Sequence, residues 1–158
     1  MNRFEKVSFG RFAEDLRKNS SATYSDDEIR DIYKQIKLPI RATEKSAGYD
    51  FAAPVASAPP CVIPTGIRVK INDGFFLALF PRSGLGFKYG LRLSNTVGII
   101  DGDYYDSDNE GHILVSVKSE KPLDIDAGMR FCQGIFIPFG VVDGDDTKTK
   151  RNGGFGST

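Results

Sequence analysis

The chain has 158 residues, 40% of them hydrophobic, a size and composition that suit one domain with its own core. Its 21 basic and 21 acidic side chains cancel, so no global field draws in a nucleic-acid polymer or an anionic membrane, and only a small charged ligand held by a few local cations fits that balance. No apolar run approaches the roughly 18 residues of a membrane span.

The opening residues, MNRFEKVSFGRF, are too charged for a signal peptide, and the expected location is the cytoplasm. The first 38 residues read as helical. Phe9, Phe12, Ala13 and Leu16 recur at i, i+3, i+4 and i+7, one stripe of a helix, with Ser8 as its N-cap and Gly10 as a weak point. NSSAT, residues 19 to 23, links it to a second stripe of Ile29, Ile32, Tyr33 and Ile36. There Ser25 and Glu28 form a capping box, Tyr24 and Ile29 a hydrophobic staple, and Pro39 a stop. Residues 1–38 are thus expected to be a helical extension, an accessory layer that buries one face of each helix.

From residue 39 the texture changes. GIRVKI, FFLALF, ILVSVK and MRFCQGIFIPF alternate with Gly, Pro, Asn and Asp, and SAPP (57–60) and INDG (71–74) are turn signals. Short strands at this spacing predict an antiparallel sandwich or barrel over 39–142. Cys61 and Cys132 lie in apolar settings and are expected to be reduced, buried thiols. The tail 143–158, DGDDTKTKRNGGFGST, has the composition of a mobile arm.

The stretch NTVGIIDGDYYDSDNEG, residues 95–111, holds five carboxylates. A calcium loop starting at Asp106 would place Asp106, Asp108, Glu110 and Gly111 correctly, but its twelfth position is Val117, so the bidentate ligand is missing. DSDNEG, 106–111, reads as a solvated hairpin tip. Asp101 follows the apolar run VGII, and two readings stay open for it: a general base that orients water, or a turn residue bonding its own backbone. PRSGLGFKYG, 81–90, combines Arg82 with small residues that let backbone N–H groups approach phosphate, or else is a plain turn. In RNGGFGST, 151–158, Phe155 could stack on a flat ring while Arg151 and the glycine N–H groups hold anionic oxygens; a tail with a stray aromatic is the alternative. His112 is the only histidine, too few for a histidine-rich metal site, and reads as a hydrogen-bonded strand residue.

Taken in order, SAGYDF (46–51), PRSGLG (81–86), NTVGIIDGDY (95–104), GMRFCQGIF (128–136) and RNGGFGST (151–158) resemble the five motifs of the homotrimeric dUTP pyrophosphatase (dUTPase) family. The resemblance covers residues 38–158. It implies a mainly-β, jelly-roll-like (β-clip) subunit, here with two short N-terminal helices and a flexible C-terminal arm. It also implies a homotrimer with sites shared between chains, and Mg2+ held by the substrate's phosphates rather than by direct protein ligands. The implied reaction is dUTP plus water to dUMP plus pyrophosphate, which keeps uracil out of DNA and supplies dUMP for thymidylate synthesis.

Residue by residue, the resemblance makes Asp101 the carboxylate that orients the attacking water, and Tyr104 the floor under the deoxyribose. Asn95 reads the uracil edge with backbone from Gly98, Ile99 and Ile100. Arg82, Ser83 and Gly84 bind phosphate for a neighbouring chain, Gln133 adds a phosphate contact, and Asp50 orders that region. Phe155 stacks on uracil while Arg151, Gly156 and Ser157 hold the outer phosphates. This chain departs from the pattern in two places. The tip YDSDNEGH is longer than in many members, and Lys150 stands where many have Arg, leaving open whether it or Arg151 meets the γ-phosphate. A dCTP deaminase-type relative would need a glutamate base, but Glu44, Glu110 and Glu120 fall in no pocket motif. A regulatory protein partner, as for phage-type members, could use the helices or the tip 105–111.

Overall fold

The chain opens with a strand rather than a helix. In the computed structural model, which describes residues 1–149, 151 and 153, Arg3–Lys6 forms β1. Helices α1 (Phe9–Asn19) and α2 (Asp26–Gln35) follow. Then come β2 (Ile40–Arg41), β3 (Tyr49–Ala52), β4 (Cys61–Pro64), β5 (Ile67–Lys70) and β6 (Phe75–Pro81). Helix α3 (Ser83–Tyr89), β7 (Arg92–Leu93), β8 (Gly98–Ile100) and a 3-10 turn at Gly102–Asp106 lead to β9 (Leu114–Lys118) and β10 (Arg130–Pro138). Every pairing is antiparallel. β2-β3-β10-β6-β8 form a five-stranded sheet, β4-β9-β7 a three-stranded one, and β1 pairs with β5. Among the described residues no helix is long and apolar enough to cross a membrane.

The caps of both N-terminal helices form as their residues dictate. Ser8 accepts from the Arg11 N–H, and the Ser25–Glu28 box is complete. The accessory layer expected over 1–38 is, however, part of the core. Phe12, Leu16 and Ile29 are fully buried in one cluster with Phe51, Ile63 and Phe131. Each such side chain contributes about 1.5–3 kcal/mol by leaving water. Phe4 of β1 sits among Tyr49, Phe51 and Phe136, with ring centroids 5.3, 5.6 and 5.7 Å away. Strand β1 forms because these rings and the free edge of β5 receive it.

The tip expected in solvent is likewise structural. Glu110 accepts from Ser8 N–H at 2.8 Å and Ser8 Oγ at 2.6 Å, clamping the start of α1. Tyr105 donates to Glu5 at 2.6 Å, and Arg68 lies 4.2 Å from the Tyr105 ring centroid. Gly111 takes a positive φ of 67° where a Cβ would lie 2.8 Å from the Tyr104 carbonyl oxygen, so the loop turns only through glycine. Asp106 and Asp108 remain exposed. His112 is not in a strand; it lies just before β9 and is fully buried. Both cysteines are free, Cys132 buried and Cys61 partly so, and burial pushes both thiols up.

The β1 clamp carries a pH prediction. The Tyr105 hydrogen bond and the Arg3 contact lower Glu5 from 4.5 to about 2. A depressed folded-state pKa means that the stabilisation is present above 4.5 and is lost as the pH falls through about 2. Melting curves of the wild type and Glu5→Gln should therefore separate at pH 6 and converge toward pH 2. Equal separation at both pH values would dismiss Glu5 as the acid-sensitive tether.

Candidate active site

Strand β8 is the edge of the five-stranded sheet. Among the described residues it pairs only with β6, in the register Leu77 to Ile100, Ala78 to Ile99 and Leu79 to Gly98. Alternate backbone N–H and C=O groups of Gly98–Ile100 therefore point away from the sheet, ready for a ligand with polar edges. A Cβ on Gly98 would lie 3.0 Å from Leu79 Cβ, so glycine lets the edge settle closely on β6. The turn before β8 places Thr96 at φ 69°, an uncommon conformation for a β-branched residue, directly after Asn95.

A cleft of about 750 Å³ opens along this edge. Asn95, Gly98, Ile99, Ile100 and Tyr104 of the third motif border it together with Arg151, whereas Asp101 does not. Lys18 and Asn19 at the end of α1 also border it, which no sequence pattern indicated. Tyr104 is buried, and burial raises its hydroxyl pKa first among the causes. Its hydroxyl stays protonated, donating to the His112 carbonyl at 2.9 Å.

Asp101 caps the 3-10 turn by backbone only, and its side chain makes no capping bond. The turn-bonding reading thus fails on geometry. Its carboxylate meets Arg151 instead, which also bonds Asp103 at 3.0 Å and lies 6.0 Å from the Tyr104 ring centroid. Asp101 and Asp103 line a second pocket, which shares Arg151 with the cleft.

A second polar group lies elsewhere. Asp50 on β3, only 8% exposed, pairs with Arg82 Nε at 3.2 Å and with Arg130 Nη1 at 3.0 Å. Gln133 faces Asp50 across the β3–β10 register and donates to the Pro81 carbonyl at 3.4 Å. Arg130 was not picked out from sequence. Its signal was its position in GMRFCQGIF, three residues before Gln133. Arg82 and the small residues after it do not form the expected turn. Arg82 caps the seven-residue α3, so Ser83 and Gly84 present first-turn N–H groups. Lys150, Phe155, Gly156 and Ser157 lie outside the described residues.

The two groups do not meet on one chain. Continuing the register places Asp101 opposite Phe76, six residues from Arg82 along β6. At about 3.3 Å per residue that is about 20 Å.

Antiparallel sheets around one core, with an edge strand exposing its backbone beside a buried tyrosine, define a small jelly-roll-like β protein with an open cleft along that edge. The dUTPase family model matches residues 34–158. The deoxyuridine 5'-triphosphate nucleotidohydrolase of Lactococcus lactis is 45% identical over 132 residues, spanning 78% of this chain and 88% of that protein. The crystal structure of dUTPase from Streptococcus mutans aligns with a TM-score of 0.61 at 39% identity, over 68% of this chain and 89% of that one. A Staphylococcus bacteriophage 80alpha dUTPase aligns over 99% of both chains with a TM-score of 0.63; at 17% identity that likeness carries the fold alone. The chain belongs to the dUTPase family.

Proposed function

We propose that this chain hydrolyses dUTP to dUMP and pyrophosphate. The observation that carries the reading is the cleft lined by Asn95, the free edge of Gly98–Ile100 and the Tyr104 ring, linked through Arg151 to the Asp101 carboxylate. Asn95 and the strand edge hydrogen-bond uracil. Cytosine, with its donor and acceptor exchanged, leaves buried groups unpaired, and a thymine methyl meets close backbone. Tyr104 lies under the sugar and leaves no space for a 2′-hydroxyl. Asp101 accepts a hydrogen bond from water and aims its oxygen at the α-phosphorus. Asp101 takes the water's proton as the new P–O bond forms, the bond to the bridging oxygen breaks, and pyrophosphate leaves.

Charge relief on the phosphates comes from arginines and Mg2+. Among the described residues no three His, Cys, Asp or Glu side chains converge on one point. The Asp101 and Asp103 carboxylates, which share Arg151, would fit an ion that keeps its waters and binds through phosphate oxygens, as Mg2+ prefers. Bound in that way, it supplies electrostatic stabilisation at the triphosphate.

The about 20 Å between Asp101 and Arg82 supports a homotrimer in which Arg82, Ser83, Gly84 and Gln133 of one chain serve the cleft of another, with Asp50 holding Arg82. Phe155, Gly156 and Ser157 close over the base and outer phosphates, joined by Arg151 or Lys150. Arg151, which rests on Asp101 and Asp103, is displaced as the nucleotide enters. A cytoplasmic location suits this role.

Two other readings find less support. No glutamate borders the cleft among the described residues, and Glu110 and Glu120 are engaged by Ser8 and Arg92, which counts against dCTP deamination. A partner-binding role for the tip competes with the contacts that Tyr105, Glu110 and His112 already make inside the chain.

The deciding assay is pyrophosphate release from dUTP, UTP, dCTP and dTTP with magnesium. Turnover of dUTP should exceed that of UTP and dCTP by about 10³-fold or more in kcat/KM. Comparable turnover of all four, or ammonia released from dCTP, would overturn the reading.

A further inference from the structure

The loop after Tyr104 joins the pocket floor to the N-terminal helix in one hydrogen-bonded unit. The Tyr104 hydroxyl donates to the His112 carbonyl at 2.9 Å and accepts from Asn109 Nδ2 at 2.7 Å. The His112 N–H donates to the Asn109 carbonyl at 3.1 Å, closing the loop on itself. The His112 ring is fully buried, and its Nε2 accepts from the Gly66 N–H at 2.8 Å. The ring proton therefore sits on Nδ1, which donates to Asp15 Oδ2 at 2.6 Å. Asp15 belongs to α1. Burial opposes its charge, but the bond from His112 and the nearby Arg11 guanidinium hold its pKa below the usual range. The same loop grips the other end of α1 through Glu110 and Ser8.

We propose that Asp15, His112 and Asn109 are positioning residues for the deoxyribose floor. Asp15 fixes the His112 ring, the ring fixes its own main chain, and that carbonyl together with Asn109 fixes the Tyr104 hydroxyl. A phenol ring held at both ends cannot tilt, so its height under the sugar is set, and that height decides whether a 2′-hydroxyl fits. The longer tip and the N-terminal helix thereby act as a support for substrate selection. The proposal rests on the reading that Tyr104 underlies the sugar of dUTP.

The test compares kcat/KM for dUTP and UTP, well below each variant's melting temperature. Asn109→Ala and Asp15→Ala should raise the KM for dUTP and narrow the dUTP-over-UTP preference by about five- to tenfold, the scale of one lost buried hydrogen bond. Asp15→Asn, which keeps an acceptor for the His112 Nδ1 proton, should retain the wild-type preference. In a Tyr104→Phe background Asn109→Ala should change the preference no further, because the hydroxyl it holds is gone. A preference unmoved in Asn109→Ala and Asp15→Ala, with only the melting temperature lowered, would reduce the network to a structural brace. Should Asp15→Ala fail to fold, the half-buried Asn109→Ala decides alone. Wild-type protein that leaves dUTP intact sinks the functional reading and this proposal together, whereas active wild type with unmoved variants sinks only this one.

Discussion

Asp101→Asn is expected to bind dUTP about as tightly as the wild type while hydrolysing it about 10²–10⁴-fold more slowly, the usual weight of a positioned base. Asparagine keeps the side chain's shape at the end of β8 and can still bond a sugar hydroxyl. It cannot take a proton from water, and its NH2 group turns a donor toward the nucleophile. The backbone of the 3-10 turn should not move, because the Asp101 side chain makes no capping bond there. Binding of a non-hydrolysable dUTP analogue and single-turnover rates separate the two effects. The contact with Arg151 also loses its charge, so the affinity comparison must be made at fixed ionic strength. Near-normal turnover would remove Asp101 from the mechanism.

Local signals were legible from the sequence where the structure is local. Both helix caps and the apolar stripes of α1 and α2 depend on neighbours three or four residues away, and they form as the pattern demands. Asn95, Gly98, Ile99, Ile100 and Tyr104 line one cleft because a single turn and edge strand carry them. Contacts between distant segments were not legible. Strand β1 carries one aromatic, Phe4, and exists because β5 has a free edge some sixty residues later. Glu110 meets Ser8 across 102 positions and His112 meets Asp15 across 97, so acidic residues that look solvated by composition serve as clamps.

Two further misses have identifiable causes. Helix α3 holds two glycines in seven residues, a poor helix by propensity, and is held by Leu85 and Tyr89 packing on the core. On β10 a bulge between Arg130 and Cys132 breaks the two-residue alternation. It turns Arg130 to the same face as Gln133, where strict alternation would oppose them, and this brings Arg130 to Asp50.

That bulged face sets up the second large effect. Asp50→Asn should lower kcat/KM for dUTP by about 10- to 100-fold through misplaced phosphate contacts. Stability should fall less. Removing one partner of a fully buried ion pair costs about 3–5 kcal/mol, but the Arg82 and Arg130 side chains are 37% and 45% exposed and can rehydrate. About 1–2 kcal/mol is therefore expected, read as a modest drop in melting temperature. Asparagine can still accept from one guanidinium, but two like charges then share a neutral partner, and Arg82 loses the orientation that Nε to Oδ1 at 3.2 Å gives it. An unchanged kcat/KM with a lowered melting temperature would confine Asp50 to the scaffold. Co-expression with Asp101→Asn subunits tests the shared site as well. If Arg82 and Asp101 of different chains complete one centre, random mixing restores about a quarter of the sites. If each chain's residues serve only its own cleft, the mixture stays at the average of the two impaired variants.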